Sequence, residues 1–553
     1  MTIAHRLWQA RALWNLGGLV HRPLTFERAQ TVIRTRREAR ADRFLAFAAR
    51  YIYGYPRSPY LPLLRHAGCE AGDLAALVRQ KGLEPTLESL RREGVYLSFE
   101  EFKGRVDVVR NGRRYRFAEE DFDNPFIRTA MEMRTGGTRS RGSPVSVGLK
   151  FVEENFAPGL IVSLAALGAR TLPFLLWSTS SAAISLWLAA IHIGHPPDRW
   201  FTMNDPQDPA TSPRLRQLAR GAAVLATTRG LKPPRPEFAP VTAMDPVLDA
   251  LLSFRDRRGG CVILTTPSLA VRLVALARRR QATLEHIQIL AGSEPLTPGK
   301  AEEISRAGAR VGSFYVFAEG GFVGAPCGDA QAPDDMHFAD YNMALIQHRR
   351  PMAEIGGLDA YMFTSLSDLP PKIMLNVESD DFGELALRRC GCPLDAMGMH
   401  RHLANVRSFT KLTGEGSTLL GSECVRVLEE VLPREFGGRS IDYQLLEVED
   451  ADHLTRLILL VSPEVGPVDE RRVLERFISE VRATTSRELR IWRQAETVQV
   501  IRRHPVATPR GKVLPFHTQA LAAFLGPGAP GAAGLLPARP IGESAGVRAG
   551  PIT

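Results

Sequence analysis

Short apolar runs alternate with helix-like segments through the middle of the chain, and this alternation constrains the fold more than any other feature. A helical pattern at 182–192 leads to the apolar run 199–203, and another at 269–279 leads to 286–290. A helical pattern around Val247 and Leu251 likewise leads to 261–265. Such alternation is typical of buried strands joined by helices that cross over a sheet. The sequence therefore predicts an α/β fold with layered, mainly parallel sheets.

The pattern changes near residue 408. The remaining runs predict a helix, two strands, a helix and a strand, at 424–431, 443–448, 454–461, 469–484 and 496–501. The end of the chain is rich in Gly, Ala and Pro and has little to bury, which is typical of disorder. We therefore expect a large N-terminal domain at 1–407, a small mobile α+β domain at 408–525 and a disordered tail at 526–553.

Composition narrows the function classes. The formal net charge is +10, but the basic residues are spread along the chain, so a phosphate-bearing substrate explains the charge at least as well as a nucleic acid does. Only 8 of the 70 basic residues are lysine, so a lysine in a motif is notable. Six cysteines do not suggest a disulfide scaffold. The first residues lack a signal-peptide pattern, and we expect a cytoplasmic protein.

One stretch tests that expectation. Residues 171–194 contain no Asp, Glu, Lys or Arg and are long enough to span a bilayer. Pro173, a serine-rich segment at 178–183 and His192 interrupt the stretch. We therefore predict a buried strand at 173–177 and a buried helix at 182–192, with no membrane span.

The segment 134–144 combines three glycines, four hydroxyl residues and three arginines. Glycine lets successive backbone N–H groups converge on one anion, and hydroxyl and guanidinium groups add donors. Such a loop suits a polyphosphate, although loops of this composition are often only surface connectors, and it is not the P-loop pattern. The candidate phosphate-binding residues are Thr135, Gly136, Gly137, Thr138, Ser140 and Gly142.

Four later stretches make the chain resemble the adenylate-forming enzymes, and within them the phenylacetate–CoA ligase-like and acyl-protein synthetase branch. They are ILAGSEPL at 289–296, FYVFAEGG at 314–321, FTS at 363–365 with ESDDFG at 378–383, and TPRGK at 508–512. They are similar to the family's G-G-E-P-L, Y-G-x-T-E and T-G-D-[LI]-G motifs and to its C-terminal lysine loop. The resemblance covers roughly residues 58–515.

This resemblance implies a role for each matching residue. Lys512 would be catalytic, holding the carboxylate and α-phosphate oxygens together, because a cation placed on developing phosphate charge lowers the barrier. Glu319 would coordinate Mg²⁺, which takes carboxylate and phosphate oxygens. Asp381, or its neighbour Asp380, would accept hydrogen bonds from the ribose, and Tyr315 would stack on adenine. The remaining implied nucleotide contacts are Ser293, Glu294, Pro295 and Arg407.

The chain also departs from the family's pattern. Val316 and Ala318 stand where the family has Gly and Thr, and arginines occupy glycine-rich-loop positions where the family has other residues. The hinge, expected at 407–411, offers Arg407 and Lys411 but no aspartate. The surviving Glu319 and Lys512 favour a divergent enzyme over an inactive binding or scaffold protein.

Cysteine spacing suggests a metal site. Cys390 and Cys392 form a C-x-C pair, and Cys327 and His337 lie upstream. Three thiolates and one imidazole suit tetrahedral Zn²⁺ with no open position, which makes a structural site. On spacing alone, three unrelated thiols and a histidine are an equal alternative, and the resemblance to sequences thought to bind zinc at these places favours the metal. Cys69, Cys261 and Cys424 lie in apolar runs and are expected in the core.

Together these features predict an ATP-dependent ligase that activates an aryl or fatty acid as acyl-AMP and transfers the acyl group to a thiol. Coenzyme A is the favoured acceptor, and an acyl carrier protein is the alternative. The expected cofactors are ATP, Mg²⁺, coenzyme A and structural Zn²⁺. By analogy with the fold, we expect Trp177, His192 and residues 312–322 to line the acid pocket, although Trp177 and His192 could equally be core residues.

Overall fold

The computed structural model describes residues 16–127, 131–134, 144–178, 182–203, 213–351, 357–409, 411–414, 417–450, 452–480, 492, 495–506, 513 and 515–517. The glycine-rich positions Thr135, Gly136, Gly137, Thr138, Ser140 and Gly142 lie outside these residues, as do Lys512 and the tail at 526–553.

Residues 16–102 form a mainly helical layer. After a helical segment at 16–21 come α1 (Phe26–Glu38), α2 (Arg40–Ala48), α3 (Tyr60–His66), α4 (Ala71–Lys81), α5 (Leu83–Arg92) and α6 (Phe99–Phe102). The hairpin β1 (Val108–Arg110) and β2 (Arg113–Tyr115) follows, and its turn residues Asn111 and Gly112 both have positive φ, 46° and 79°. Two positive φ values are what a type I′ hairpin turn requires, and Asn followed by Gly is the residue pair that adopts them most readily.

A six-stranded parallel sheet forms one core layer. Between the hairpin and this sheet lie β3 (Met131–Arg134), β4 (Pro144–Val147), α7 (Leu149–Phe151) and α8 (Ala157–Ala166). The sheet and its helices are β5 (Phe174–Ser178), α9 (Ala182–His192), β6 (Arg199–Thr202), α10 (Pro213–Thr227), β7 (Pro236–Phe238), α11 (Asp245–Arg258), β8 (Cys261–Thr265), α12 (Pro267–Arg279), β9 (Ile287–Ala291), α13 (Pro298–Arg306) and β10 (Arg310–Ser313). Its strand order is β10-β9-β8-β5-β6-β7, with every pairing parallel.

The charge-free stretch at 171–194 is accounted for within this layer. It forms the buried strand β5 and the helix α9, which confirms the strand–helix prediction. Among the described residues, no helix is long and apolar enough to cross a bilayer.

The second large sheet corrects the expectation of mainly parallel layers. Its seven strands are β11 (Tyr315–Phe317), β12 (Gly321–Pro326), β13 (Met336–Phe338), β14 (Met343–Arg350), β15 (Leu358–Ser365), β16 (Val377–Leu387) and β17 (Arg401–Ser408). They pair in the order β11-β12-β13-β17-β16-β15-β14, and every pairing is antiparallel. Most of the connections are too short for the crossover helix that parallel neighbours need, so adjacent strands reverse direction.

The chain beyond β17 forms a smaller α+β unit, which we call the C-terminal unit. It contains the hairpin β18 (Lys411–Gly414) and β19 (Ser417–Leu420), then α14 (Gly421–Arg426), α15 (Leu432–Phe436), β20 (Tyr443–Glu449), β21 (Thr455–Val461), α16 (Glu470–Glu480), β22 (Val498–Arg502) and β23 (Phe516–His517). The last four strands form one sheet in the order β22-β21-β20-β23, with a core of its own. The predicted helix–strand–strand–helix–strand order is confirmed, with boundaries shifted by a few residues.

Candidate active site and metal cluster

The two large sheets meet where β10 passes through Phe314 directly into β11. Three predicted site residues lie near this junction: Tyr315, Glu319 and Asp381. The hydroxyl group of Tyr315 donates to Asp381 Oδ2 at 2.5 Å, and the hydroxyl of Ser408 donates to Asp381 Oδ1. Asp381 and Ser408 are register partners on β16 and β17, which explains their approach. Burial and the Asp381 carboxylate together hold the pKa of the Tyr315 phenol well above its usual value. The phenol therefore remains a neutral donor at physiological pH.

The neighbouring Asp380 has a different environment. Its backbone has φ of +67°, which is strained for a residue other than glycine, and its carboxylate lies 3.5 Å from Arg350 Nη1. The same guanidinium nitrogen bonds Glu378 Oε1 at 2.7 Å, and Glu378 Oε2 is 2.8 Å from His348 Nε2. Asp381, not Asp380, is thus the aspartate that Tyr315 contacts. The predicted ribose and adenine roles of this pair remain predictions.

Glu319 lies in a buried cluster of opposite charges. Lys103 Nζ donates to Glu319 Oε1 at 2.8 Å and to Glu119 Oε1 at 2.9 Å, and the side chain of Lys103 is only 4% exposed. A second buried lysine, Lys372, donates to the Glu119 carbonyl oxygen at 3.0 Å and to Asp123 at 2.7 Å. The cluster thus contains two lysines and three carboxylates, one of which is Glu319, the predicted magnesium ligand.

Burial and the neighbouring Lys103 shift the pKa of the Glu319 carboxyl in opposite directions. Burial alone would raise its pKa, but the charge and hydrogen bond of Lys103 outweigh burial and bring the pKa below its usual value. For Lys103, burial lowers the pKa and the two glutamates more than offset it, so the ammonium stays charged. Since Lys103 takes Oε1, a Mg²⁺ ion at Glu319 could use only the other oxygen. It would need phosphate and water for its remaining ligands, and this is how Mg²⁺ is usually bound.

The predicted adenine-bordering turn follows β9. Ser293 is exposed with φ of +69°, whereas the Glu294 carboxylate points inward. Glu294 Oε2 accepts from Ser268 Oγ at 2.5 Å and from Ser268 N at 3.2 Å, and it lies 3.5 Å from Lys300 Nζ. Both charged side chains are 1% exposed. The carboxylate of Glu294 therefore fixes the shape of the turn, leaving Ser293 and the ring of Pro295, which is half-buried, nearer to solvent.

Arg407 pairs with Asp334, although its own segment, 407–411, contains no acidic residue. Its Nη1 donates to Asp334 Oδ2 at 2.9 Å, and the same carboxylate accepts from the backbone N–H groups of Asn405 and Val406. Asp334 lies in the turn before β13, so only the sheet topology brings it to the end of β17. The expected hinge at 407–411 thus begins at an anchored arginine.

The four predicted metal ligands come together. The sulfur atoms of Cys327, Cys390 and Cys392 and one ring nitrogen of His337 all lie within 4.8 Å of one another. His337 Nε2 is 3.1 Å from Cys392 Sγ and 3.5 Å from Cys390 Sγ. Bonds of about 2.0–2.3 Å in a tetrahedral site hold ligand atoms roughly 3.3–3.8 Å apart, so the cluster is close to the size that Zn²⁺ needs.

Hydrogen bonds with surrounding groups orient the imidazole and two of the sulfur atoms in this cluster. His337 Nδ1 lies 2.5 Å from the Met399 carbonyl oxygen, which can only accept, so Nδ1 carries the proton and Nε2 presents its lone pair to the sulfurs. The backbone N–H of Asp329 lies 3.4 Å from Cys327 Sγ, and that of Leu394 lies 3.4 Å from Cys392 Sγ. The residues present therefore fit a closed Cys₃His zinc site.

Cys327, Asp335 and His402 form a second group of possible metal ligands, and the positively charged guanidinium of Arg388 contacts this group. Asp335 Oδ1 accepts from His402 Nδ1 at 2.7 Å, and its other oxygen pairs with Arg388. Arg388 Nη2 also lies 3.6 Å from Cys327 Sγ. A guanidinium in this position repels a second metal ion and offsets thiolate charge in the first cluster.

Trp177 and His192, for which an acid-pocket role and a core role were both open, are buried and contact backbone carbonyl oxygens. Trp177 is fully buried and its Nε1 donates to the Ala239 carbonyl oxygen at 3.1 Å. His192 Nδ1 lies 2.7 Å from the Leu19 carbonyl oxygen, and burial lowers the pKa of its ring. In the sequence both residues lie in apolar runs, and such runs do not distinguish a pocket wall from a core.

Sequence reasoning missed three lysines, Lys103, Lys300 and Lys372, each almost fully buried beside glutamate or aspartate. Their signal was the scarcity of lysine in this chain, where arginine fills most exposed basic positions. A lysine retained in such a chain is a candidate for a buried ion pair.

Comparison with solved structures supports the fold. The chain superposes on a 2-hydroxyisobutyryl-CoA ligase in complex with 2-HIB-AMP and CoA with a TM-score of 0.54 and 15% identity, covering 88% of this chain and 91% of that one. An amide bond synthetase, McbA from Marinactinospora thermotolerans, gives a TM-score of 0.42 at 12% identity, covering 91% and 97%. No protein-family model and no curated protein matches the sequence. The chain thus has the fold of the AMP-forming, adenylate-forming ligases, with a strongly diverged sequence.

Proposed function

We propose that the protein activates a carboxylic acid with ATP and transfers the resulting acyl group to a nucleophile, most favourably the thiol of coenzyme A. A carboxylate oxygen attacks the α-phosphorus and pyrophosphate leaves. The thiolate sulfur of coenzyme A then attacks the carbonyl carbon of the acyl-AMP, the bond from that carbon to the phosphate oxygen breaks, and AMP leaves. The observation that carries the proposal is the Tyr315–Asp381 pair beside Glu319 at the junction of the two sheets, in a chain with this fold. The complex of the solved neighbour with an acyl-AMP and CoA supports the same chemistry.

Each residue has a part in this proposal. Asp381, oriented by Tyr315 and Ser408, would accept from the ribose hydroxyls, and Tyr315 would border the base. Glu319, held ionised by Lys103, would face the phosphates and their Mg²⁺, which supplies positive charge to the phosphate oxygens. The backbone and hydroxyl donors of the segment 135–142 would bind the polyphosphate, and Lys512 would hold the two reacting oxygens together. Arg407 would anchor the start of the hinge.

The first experiment is ATP-dependent release of pyrophosphate across a panel of aryl and fatty acids, with and without coenzyme A. We expect release with one acid class and a thioester product when coenzyme A is present. Lys512→Ala should reduce release by several hundredfold, because removing one charge-stabilising group typically costs about 10²–10³ in rate. Lys232→Ala is the matched control, since Lys232 is exposed on a connector.

A carrier-protein acceptor and an inactive scaffold are the alternatives. Release of pyrophosphate without a coenzyme A thioester, followed by loading of a phosphopantetheine arm, would identify the first. The changes at Val316 and Ala318 favour the second. Intact ATP binding with no pyrophosphate from any acid would establish it.

We further propose that Cys327, His337, Cys390 and Cys392 hold one structural Zn²⁺. The ion would join the end of β12, strand β13 and the loop between β16 and β17, and with four protein ligands it would have no open position for chemistry. Elemental analysis of the purified protein should find about one zinc per chain. Cys390→Ser should lose it, and Cys69→Ala, in a separate buried cluster, should keep it. A metal-free wild-type protein with stable folding would contradict this proposal.

A further inference from the structure

The C-terminal unit contacts the large part of the chain at the first turn of α13. Thr297 caps this helix by accepting from Lys300 N at 3.3 Å, and its hydroxyl donates to Glu449 Oε2 at 2.5 Å. The other oxygen of Glu449, at the end of β20, lies 2.7 Å from His453 Nδ1. A carboxylate at a helix N-terminus interacts favourably with the unpaired N–H groups and dipole there.

Lys300 extends this contact into the interior. Its ammonium donates to Thr455 Oγ1 of the C-terminal unit at 2.8 Å and to Ser268 Oγ at 3.3 Å, and it pairs with Glu294. A lysine that is 1% exposed must have its charge compensated, because an unpaired buried charge is strongly unfavourable. Lys300 therefore depends on groups from both parts of the chain.

Apolar and backbone contacts complete the interface. Leu454 and Ala495 of the C-terminal unit belong to the same hydrophobic cluster as α12 and β9, and Arg272 on α12 donates to the Ala495 carbonyl oxygen at 3.1 Å. The interface thus combines buried apolar area, a helix-terminus carboxylate and a buried ammonium, which together define one docked position.

Gly299 makes the close approach possible. A side chain at this second position of α13 would overlap the carboxylate of Glu449 and the ring of His453. The backbone there is ordinarily helical, so nothing but the approach of the C-terminal unit requires glycine. Gly72 occupies the same position in α4, and a Cβ there would meet nothing within 4 Å.

We propose that the first turn of α13 is the docking site of the C-terminal unit, and that Lys300 couples docking to the turn 293–296. Undocking removes Thr455 from Lys300, which weakens the hold of Lys300 and Ser268 on Glu294 and loosens that turn. The proposal rests on the proposed function only where the turn is said to contact nucleotide. Docking and its coupling to the turn concern the protein alone and need no substrate.

The test is hydrogen exchange of the full chain carrying Gly299→Leu, with Gly72→Leu as the matched control. Leucine is a better helix former than glycine, so neither change should harm its helix by itself. In Gly299→Leu we expect amides of the two contacting segments, which are the first turn of α13 and the turn that joins β20 to β21, and amides of the turn 293–296 to exchange about tenfold faster or more. Gly72→Leu should leave all of these segments at wild-type rates.

Three results would overturn the proposal. Unchanged exchange in the two contacting segments would show that the contact does not hold the C-terminal unit. Faster exchange there with unchanged exchange in the turn 293–296 would remove the coupling, and equal effects in the control would remove the specificity. If Gly299→Leu fails to fold, Thr455→Val tests the same contact from the other side, and it should loosen the turn 293–296 while β5 and β8 keep their exchange rates. Pyrophosphate release tests the proposed function separately, so either idea can fail while the other stands.

Discussion

Strand β12 connects two polar sites that stabilise themselves in opposite ways. Just before its first residue lies Glu319, whose charge is balanced by Lys103 at 2.8 Å. Just after its last residue lies Cys327, among two further thiols and the lone pair of an imidazole. Protein groups compensate the charge of the first site, whereas the second groups the sulfur and nitrogen atoms that we propose as zinc ligands. If zinc binds there as proposed, the stability of the second site should depend on a bound ion and that of the first should not.

Among the changes to these two sites, removing a metal ligand should have the largest effect on the stability of the protein. Cys392→Ser should abolish zinc binding and destabilise the protein by about 4 kcal/mol, since loss of a metal is among the few changes of that size. Urea unfolding with and without a zinc chelator measures it. The chelator should destabilise the wild type and leave Cys392→Ser unaffected. A chelator effect of equal size in both proteins would contradict the assignment.

The second-largest loss of stability is expected from breaking the pair of Lys103 and Glu319. Lys103→Met leaves Glu319 buried without its partner and should cost about 3–4 kcal/mol, measured by urea unfolding. Lys103→Met combined with Glu319→Gln should recover part of this loss, because the charge of Glu319 is gone while Glu119, the other partner of Lys103, keeps Lys372 at 3.9 Å. If the double variant is no more stable than Lys103→Met, the charge argument is wrong.

The pH dependence of this pair has a definite sign. The folded-state pKa of Glu319 is lowered, so its contribution is present above its unfolded value of 4.5 and is lost as pH falls through the folded pKa. The pKa of Lys103 is raised, so its contribution is present below its unfolded value of 10.5 and is lost as pH rises through the folded pKa. The stability difference between the wild type and the double variant Lys103→Met/Glu319→Gln, which lacks both titrating groups, should therefore be flat from about pH 5 to 10 and shrink outside that window. A difference that changes steadily through neutral pH would require another titrating group.

A smaller effect is expected at Arg388, which contacts the thiol site from outside. Arg388→Met removes the guanidinium beside Cys327 Sγ and should weaken zinc binding about tenfold, within the range of outer contacts to metal ligands. Competition with a chromogenic chelator measures the affinity. Arg388→Lys keeps the charge and should recover part of the loss, whereas equal losses in both variants would assign the effect to geometry.

The smallest effect is expected for an exposed pair on the same antiparallel sheet. Arg349 and Asp359 lie 3.6 Å apart and are 63% and 51% exposed. Arg349→Ala should change stability by less than about 0.5 kcal/mol in urea, because solvent screens such pairs. A loss comparable to that of Lys103→Met would mean that burial is not what separates the two pairs.

Local patterns predicted the secondary structure well. The strand and helix of 171–194, the Asn111–Gly112 hairpin and the element order of the C-terminal unit all follow from periodicity and turn chemistry over a few residues. The C-x-C pair of Cys390 and Cys392 is local, but spacing alone left its grouping with Cys327 and His337 open. The resemblance favoured that grouping, and the sheet brings the four residues together. The direction of the second sheet was not predicted, since a buried parallel strand and a buried antiparallel one have similar composition.

The sequence by itself indicated the alternation of strands and helices and the order of elements in the C-terminal unit, because both depend on neighbouring residues. The tertiary structure decided which charges meet: Lys103 with Glu319, Asp334 with Arg407, and Lys300 with Glu294 and Thr455. These partners come from different elements, and no local pattern selects one acidic residue over another. Burial then makes the pairing energetically decisive, because an unpaired charge in the interior is costly while the same charge on the surface is not.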